Sequence, residues 1–373
     1  MDVKVIDIIK IMNAIAPPAL AEENDNVGLQ CGHPDQAVEK IRVALDPTIQ
    51  VIREAIKDGV GIIVTHHPLL FRPLQRVDFS ENTGVIIKLL AENNMSLFCA
   101  HTNLDSAEGG INDMLSGKLG LNDTAVLGKP YSNDVYKFVV FVPVAYSQKI
   151  LDALYKTEAG RFANYSCCTF SSEGTGTFRP EEGAKPFSGT VNEVSEEKET
   201  RIETIVLKRH LSETIKRVKD IHPYETMAYD VYPLATEMGT QGLGRVGTLE
   251  RETRLGELAS VIKKKLGLSS LRVAGDPGMT VKKVAVCSGS GSSLLNAFLS
   301  SGAQAYVSGD LKYHDAKIAE ESGRGLIDIG HFESEHIIVP SLCEKIRTEL
   351  EQRSLSAEVD VCRSEKDPFM IMA

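Results

Sequence analysis

Two stretches of the chain read as copies of one unit. The first is "RVALDPTIQVIREAIKDGVGIIVTHH" and the second is "KVAVCSGSGSSLLNAFLSSGAQAYVSGD". Each runs strand, loop, helix, glycine turn, strand, which is the grammar of a layered α/β sheet with parallel or mixed strands. The likeness continues downstream, where "LLAENNMSLFCAHTNLD" lies opposite "KIAEESGRGLIDIGHFESE". In this register Thr65-His66-His67 faces Ser308-Gly309-Asp310, His101 faces His331, and Asp105 faces Glu335. Any two strand–helix–strand units share an outline. The matching His and carboxylate offsets favour a true duplication. Buried strands are expected at 41–45, 61–64, 96–100, 284–287, 305–307 and 326–329, with helical segments at "IQVIREAIKDG" and "SLLNAFLSSG".

The middle of the chain does not fit the repeat. It reads as strand ("VYKFVVFVPV"), helix ("SQKILDALYKTEAG"), strand and loop ("NYSCCTFSSEGTGTFRP"), strand ("RIETIVLKRH"), helix ("LSETIKRVKDIHPYE") and strand ("MAYDVYPL"). That order is the ferredoxin-like plan. The segment "EEKETR" reads as a solvated loop, and the glycines of "TEMGTQGLGRVG" mark the return to the main domain. The expectation is a duplicated α/β domain over 1–128 and 236–373, with an α+β domain inserted over 129–235.

Three places put His directly after an expected strand, two of them with a carboxylate four residues on: His66/His67, His101…Asp105 and His331…Glu335. Sites in open α/β sheets form beyond the carboxyl ends of strands. A helix starting near His331 would present His331 and Glu335 on one face, since residues four apart are neighbours there. "HTNLD" reads rather as a turn. Four imidazoles and two carboxylates suit two neighbouring divalent ions. The ions would lie roughly 3.5–4 Å apart and activate a shared water, with Asp105 the candidate bridge. A lone His-x-x-x-Glu is ordinarily a surface pair on a helix; three such clusters at strand ends are hard to obtain by accident.

Other groups have bland readings beside functional ones. The amides of Ser288, Gly289, Ser290 and Gly291 follow a strand and could hold a phosphate, but the stretch lacks the Lys of a P-loop and is not G-x-G-x-x-G, so a tight turn is the favoured reading. Asp310, Lys312 and His314 are either pocket groups or solvated loop residues. Glu333 and His336 flank the ligand face as candidate proton donors or as surface groups. His222 and Glu225 of "IHPYE" could hold an ion, with helix-end packing the competing role. Cys31 reads as structural.

Composition narrows the class. A formal net charge of −10 argues against a sequence-blind grip on nucleic acid, which needs a basic surface. No apolar run reaches the roughly 20 residues of a membrane span, and the N-terminal stretch lacks the order of a signal peptide. Seven cysteines without a C-x-x-C, two of them adjacent at Cys167 and Cys168, suggest reduced thiols in a cytoplasm.

The motifs "THHPLLF", "AHTNLD" and "GHFESE", with "DNVGLQCG" near the start, resemble those of the NIF-three-like family, the GTP cyclohydrolase 1 type 2 homologs. The likeness covers the whole chain. It implies a dinuclear metal centre within a ring-shaped homohexamer, ligated by His66, His67, His101, Asp105, His331 and Glu335. It also implies that the middle segment is the PII- and CutA-like insertion of the longer bacterial members. One departure stands out. The family pattern leads to "DWDNVGLQ", where this chain reads "ENDNVGLQ" and has no tryptophan at all.

The leading expectation is a hydrolase with two divalent ions per chain, zinc foremost and iron or manganese as alternatives. It would act on a nucleotide or related heterocycle through metal-activated water. The family name alone supplies that substrate. The rivals are a metal-dependent regulatory or assembly protein whose insert binds a small ligand or partner, and a phosphoesterase or metal-insertion factor.

Overall fold

The computed structural model describes residues 3–130, 135–161, 165–234 and 241–372. It divides into two units, Met1–Tyr131 with Thr240–Ala373, and Ser132–Gly239. Helix α1 (Val5–Ile15) opens the first unit. Strands β1 (Gly28–Cys31), β2 (Lys40–Ala44), β3 (Ile62–Thr65) and β4 (Ser96–Cys99) follow, with α2 (Ile49–Lys57) and α3 (Asn82–Glu92) in the crossovers to β3 and β4. The short α4 (Thr102–Ser106), then α5 (Ile111–Leu119) and β5 (Asn122–Val126), come next. The second unit holds β6 (Val135–Pro143), α6 (Ser147–Leu154), β7 (Thr169–Phe178), β8 (Ser195–Leu207), α7 (Lys208–Lys219) and β9 (Tyr229–Pro233). The first unit resumes with β10 (Arg245–Arg254), α8 (Leu255–Leu266), β11 (Arg272–Ala274), β12 (Thr280–Ser290), α9 (Leu295–Ser300) and β13 (Ala305–Gly309). It closes with α10 (Tyr313–Glu321), β14 (Gly325–Asp328), α11 (His331–Glu335), α12 (Ile338–Gln352) and β15 (Glu358–Val361).

Two sheets form the first unit, in the orders β1-β4-β3-β2-β15 and β11-β14-β13-β12-β10-β5. Each contains three parallel strands in a row, β2-β3-β4 in one, where β15 extends the run to four, and β12-β13-β14 in the other. Both faces of these strands are covered, so their sequences are continuous apolar runs rather than alternating ones. On the first sheet Ile8, Ile11, Leu342 and Ile346 pack against Ile41 and Val43. Ile52, Ile86 and Leu90 pack against Ile63 and Leu97 on its opposite face. On the second sheet Leu115, Leu258 and Ile262 meet Val284, Val307 and Ile327, and Phe298 stacks on Tyr306 across the sheet. Parallel strands share one carboxyl edge, so β3 and β4 deliver His66, His67 and His101 together, and β13 and β14 deliver Asp310 and His331 together. In the middle of β2, the nearly buried Arg42 bonds Asp360 of β15 and Asp58 after α2.

Local signals explain the connections. The Thr48 hydroxyl accepts the Val51 N–H and starts α2, as an N-cap should. Gly59, at φ +69°, turns the chain back after α2, in the left-handed region where a glycine carries no steric penalty.

The second unit is a four-stranded antiparallel sheet in the order β7-β8-β6-β9. Ile150, Leu154 and Val218 pack on Phe138, Val140, Ile202 and Val206. Here the sequence reading needs correction. "EEKETR" is no loop but the first half of β8, paired with β7 residue by residue from Phe178–Ser195 to Thr169–Thr204. Its charges misled because one face of this hairpin is solvated; Lys198 Nζ, for example, reaches Thr175 across the ladder at 2.9 Å. The α6 segment also stops at Leu154, short of the expected Gly160. Among the described residues no helix is long and apolar enough to cross a membrane.

Candidate metal centre

The chain leaves β3 at Thr65, and the next two residues are fixed by backbone bonds. His66 N–H donates to Ala44 O at 3.3 Å and His67 N–H to Leu45 O at 2.9 Å. The Thr65 hydroxyl donates to His67 O at 2.8 Å. The two imidazoles lie with centroids 5.0 Å apart, and His101 and His331 stand 5.1 Å from His66 and 5.4 Å from His67 respectively.

"HTNLD" is helical, not the expected turn: α4 begins immediately after His101. Its cap comes from far away in sequence. Asp25 Oδ2 accepts the Thr102 N–H at 3.0 Å, so no local signal announces the helix. Helix α11 begins at His331, following Gly330 at φ +88°. Each short helix therefore sets a His and a carboxylate four residues apart on one face.

The six expected residues meet. His66 Nε2 lies 3.9 Å from Asp105 Oδ2 and 3.6 Å from Glu335 Oε1. Glu335 Oε2 lies 2.9 Å from His67 Nε2 and 3.1 Å from His331 Nε2. Three overlapping triads result: His66–His67–His101, His67–His331–Glu335 and His66–Asp105–Glu335, each with its donor atoms within 4.8 Å of one another. Glu335, 3 % exposed, is the carboxylate at the centre. Asp105 sits to one side, where its Oδ1 accepts the Ser288 hydroxyl at 2.8 Å.

Every imidazole is held from behind at Nδ1. His66 faces Ala100 O at 2.9 Å, His67 faces Asp46 Oδ1 at 2.8 Å, His101 faces Asp25 Oδ1 at 2.9 Å and His331 faces Asp310 Oδ2 at 2.8 Å. These oxygens only accept, so each Nδ1 carries a proton and each Nε2 is turned toward the cluster, the orientation that partners behind a metal-ligating imidazole impose. Of the four partners sequence reasoning singled out only Asp310. Asp25 and Asp46 follow no His spacing, and their one signal is that each lies in a loop beside a strand end. Asp310 adopts φ +50°, a region Asp tolerates better than most residues.

The electrostatics describe a site that calls for positive charge. Burial alone would raise Glu335, but His66, His331 and His67 hold it well below the usual carboxylate range. Burial raises Asp105 against the pull of His66. Burial opposes protonation of His67, yet bonds to Asp46 and Glu335 bring it up to about 10. The Glu335 contact, against burial, brings His331 up to about 9. Burial would raise Asp25, and His101 and Thr102 bring it down to about 2. His66 Nε2 and Glu335 Oε2 are buried without a hydrogen bond of acceptable geometry. Buried polar atoms rarely go unpartnered, and divalent ions at this spot would supply what both lack. The donor set thus fits such ions.

The loop after β12 is built into the same centre. Ser288 N–H donates to Asn112 Oδ1 and Gly289 N–H to the Ser334 hydroxyl. Those two amides are therefore not free to hold a phosphate, and Ser288 instead serves Asp105. Ser290 lines the adjoining cavity. Gly291 is buried, its carbonyl taken by the Tyr306 hydroxyl at 2.8 Å. Gly289, at φ +59°, is required: a Cβ there would stand 2.1 Å from Glu335 Oε1.

A cavity of ≈ 460 Å³ opens onto His67, His101, Asp105, His331 and Glu335. Phe71 lines it and meets the His101 ring edge-on with centroids 6.3 Å apart. Asn24, where the resembling motif carries tryptophan, is exposed. Glu333 shares a second cavity with His67 and His331, on the side of Asp46 and Asp310. His336, stacked on Phe332, lies on another cleft with Lys118 and Pro340, which Glu333 also lines. Lys312 and His314 are exposed. In the second unit both nitrogens of His222 are engaged, by Phe141 O and by the Tyr224 N–H, and Glu225 accepts the Lys185 N–H. Cys31 is a half-buried free thiol whose pKa burial raises.

A sequence model of the family described as Duf34/NIF3 (NGG1p interacting factor 3) matches residues 3–368. The "GTP cyclohydrolase 1 type 2 homolog" of Bacillus subtilis is 37% identical over 365 residues, covering 98% of each chain. A protein of the same name from Halalkalibacterium halodurans is 38% identical, covering 97% of each. Among solved structures, a Bacillus cereus protein related to NIF3 aligns with a TM-score of 0.77 at 38% identity and covers 100% of both chains. The Staphylococcus aureus protein SA1388 aligns with a TM-score of 0.80 at 29% identity, covering 100% of this chain and 99% of that one.

Proposed function

The chain belongs to the Duf34/NIF3 family, and from that footing we propose that it is a dinuclear metal-dependent hydrolase acting on a purine-like heterocycle. The observation that carries the reading is Glu335, whose two oxygens face His66 on one side and His67 and His331 on the other. His66, His101 and Asp105 would hold one ion, His67 and His331 the other, and Glu335 would be shared. Two divalent ions held there would polarise an electrophilic carbon and make water a better nucleophile at neutral pH.

The chain's own residues do the rest. Asp25, Asp46, Asp310 and Ala100 O keep the imidazoles oriented, so the ligands need no rearrangement. Phe71 offers an aromatic edge to a planar ring. Among the described residues the lining of the ≈ 460 Å³ cavity includes no Lys or Arg, which favours a grip on the ring of a substrate over a grip on its phosphates. The open cavity beside the cluster supports an enzyme over a purely structural metal site, where ligation is closed. The name of the relatives adds the purine-like guess. We read the two three-strand halves as a duplication and the second unit as a ferredoxin-like insertion, on strand order. Assembly as a homohexamer rests on family membership, and sizing in solution tests it.

The deciding experiment loads the purified protein with zinc, iron(II) or manganese and screens purine nucleosides and nucleotides for ring opening or deamination. Turnover should need one preferred metal, cease with chelator and fall sharply in His101→Ala. Absence of turnover in protein holding two ions per chain would leave the regulatory role instead. Turnover that survives chelation would overturn the mechanism.

A further inference from the structure

The second unit contains a cavity of its own, of ≈ 300 Å³. Its walls are Phe178, Phe187, Tyr224 and prolines from the loop that follows β7. The aromatic rings pack on one another: Phe187 meets Tyr224 at 5.8 Å and Tyr146 at 5.6 Å between centroids. Into this apolar space β8 places Glu199, only 9 % exposed. One carboxylate oxygen, Oε1, accepts the Tyr224 hydroxyl at 2.6 Å. Burial and this carboxylate push the Tyr224 phenol up, so the phenol stays the donor in this contact.

No Lys, Arg or His forms an ion pair with Glu199 among the described residues. Glu199 lines the cavity, and a carboxylate there favours a partner that brings positive charge. The strand beside it is shaped to admit the group. Gly176 lies in mid-strand, and a Cβ there would stand 2.3 Å from Glu199 Oε2. A glycine in a strand interior often marks such a close approach. Gly174, opposite Glu199 in the ladder, leaves open space beside it.

We propose that this cavity binds a small organic cation, an ammonium or amidinium group seated on Glu199 Oε2 with its apolar body against Phe178, Phe187 and Tyr224. Aromatic faces attract desolvated cations, and the carboxylate supplies the charge-assisted bond. An anionic ligand is disfavoured, because Glu199 and Glu225 line the cavity and no Lys or Arg does among the described residues. A metal ion is disfavoured too, since Glu199 joins no set of three metal-type donors among the described residues. The volume suits a ligand no larger than an amino acid or a single ring. The inference does not depend on the metal centre.

Calorimetry on the full chain tests it, with benzamidinium and n-butylammonium as probes and benzamide and n-butanol as neutral isosteres. The cations should bind saturably at one site per chain and the isosteres should not. Glu199→Gln keeps shape and the Tyr224 contact, and should weaken cation binding roughly tenfold or more, as loss of a charged hydrogen bond does. The comparison within the wild-type chain stands even where the variant folds poorly. Equal binding of benzamide and benzamidinium, unchanged cation binding in folded Glu199→Gln, or no saturable binding of either cation would each overturn the proposal.

Discussion

Asp46 Oδ1 stands 2.8 Å from His67 Nδ1, on the far side of the ring from Glu335. The contact is itself supported from a distance. Glu365 accepts the N–H groups of Leu45 and Asp46 at 2.8 Å each, so a carboxylate near the end of the described chain fixes the loop that aims the imidazole.

Removing that support should loosen metal without unfolding the protein. Asp46→Ala and Glu365→Gln are each expected to weaken metal affinity, the former by roughly 10- to 100-fold, as loss of the partner that orients a ligating imidazole does. Competition with a coloured chelator measures it, and circular dichroism checks the fold. Unchanged affinity in both would show that His67 needs no help from behind.

Among the carboxylates the order of metal loss should be Glu335→Ala first, then Asp105→Ala, with Glu333→Ala near wild type. Glu335 is close to three imidazoles and Asp105 to one, whereas Glu333 belongs to no metal-type triad among the described residues. Metal analysis after gel filtration reads the order. Equal loss in Glu333→Ala and Asp105→Ala would break the assignment.

Gly289→Ala should be unusually harmful for a one-methyl change. The new Cβ meets Glu335 Oε1 at 2.1 Å and the backbone is left-handed. Strain of this kind costs about 1–3 kcal/mol, and the displaced carboxylate should lower metal content as well. Denaturant midpoints and metal analysis on one sample test both effects.

Acid should weaken the β2–β15 seam. Burial would raise Asp360, but Arg42 and Lys40 hold it below its ordinary 3.8. A depressed native pKa contributes stability above the unfolded value, and that contribution is lost as pH falls through the native one. Between about pH 5 and pH 2, Asp360→Asn should show a shallower fall in denaturation midpoint than the wild type. Parallel curves would assign the acid sensitivity elsewhere.

Residues 132–239 should be removable. All six proposed ligands lie in the first unit, and insertions tolerate removal where their ends lie close. A short Gly/Ser join between residues 131 and 240 should leave metal stoichiometry unchanged by elemental analysis. A soluble but metal-free product would count against it.

The residues of the cluster were legible in sequence because its histidines follow apolar strands, and strand ends sit where parallel sheets open. The residues that orient them were not. Asp25 reaches His101 across 76 positions, and nothing in "ENDNVG" announces an imidazole partner. The helix after His101 was hidden for the same reason, since its cap is Asp25. "EEKETR" failed in the opposite direction. Its charges suggested solvent, but pairing with β7 overrides composition, and the pleat buries Glu199 while exposing Lys198.

The grip of Glu365 on Leu45 and Asp46 spans 320 positions, and Glu335 closes on His66 and His67 over nearly as many. Contacts this remote form only after long loops have closed, and on the ribosome the early strands emerge well before their partners. Metal capture would then be one of the final acts of maturation, and a bound ion would certify a fully assembled chain.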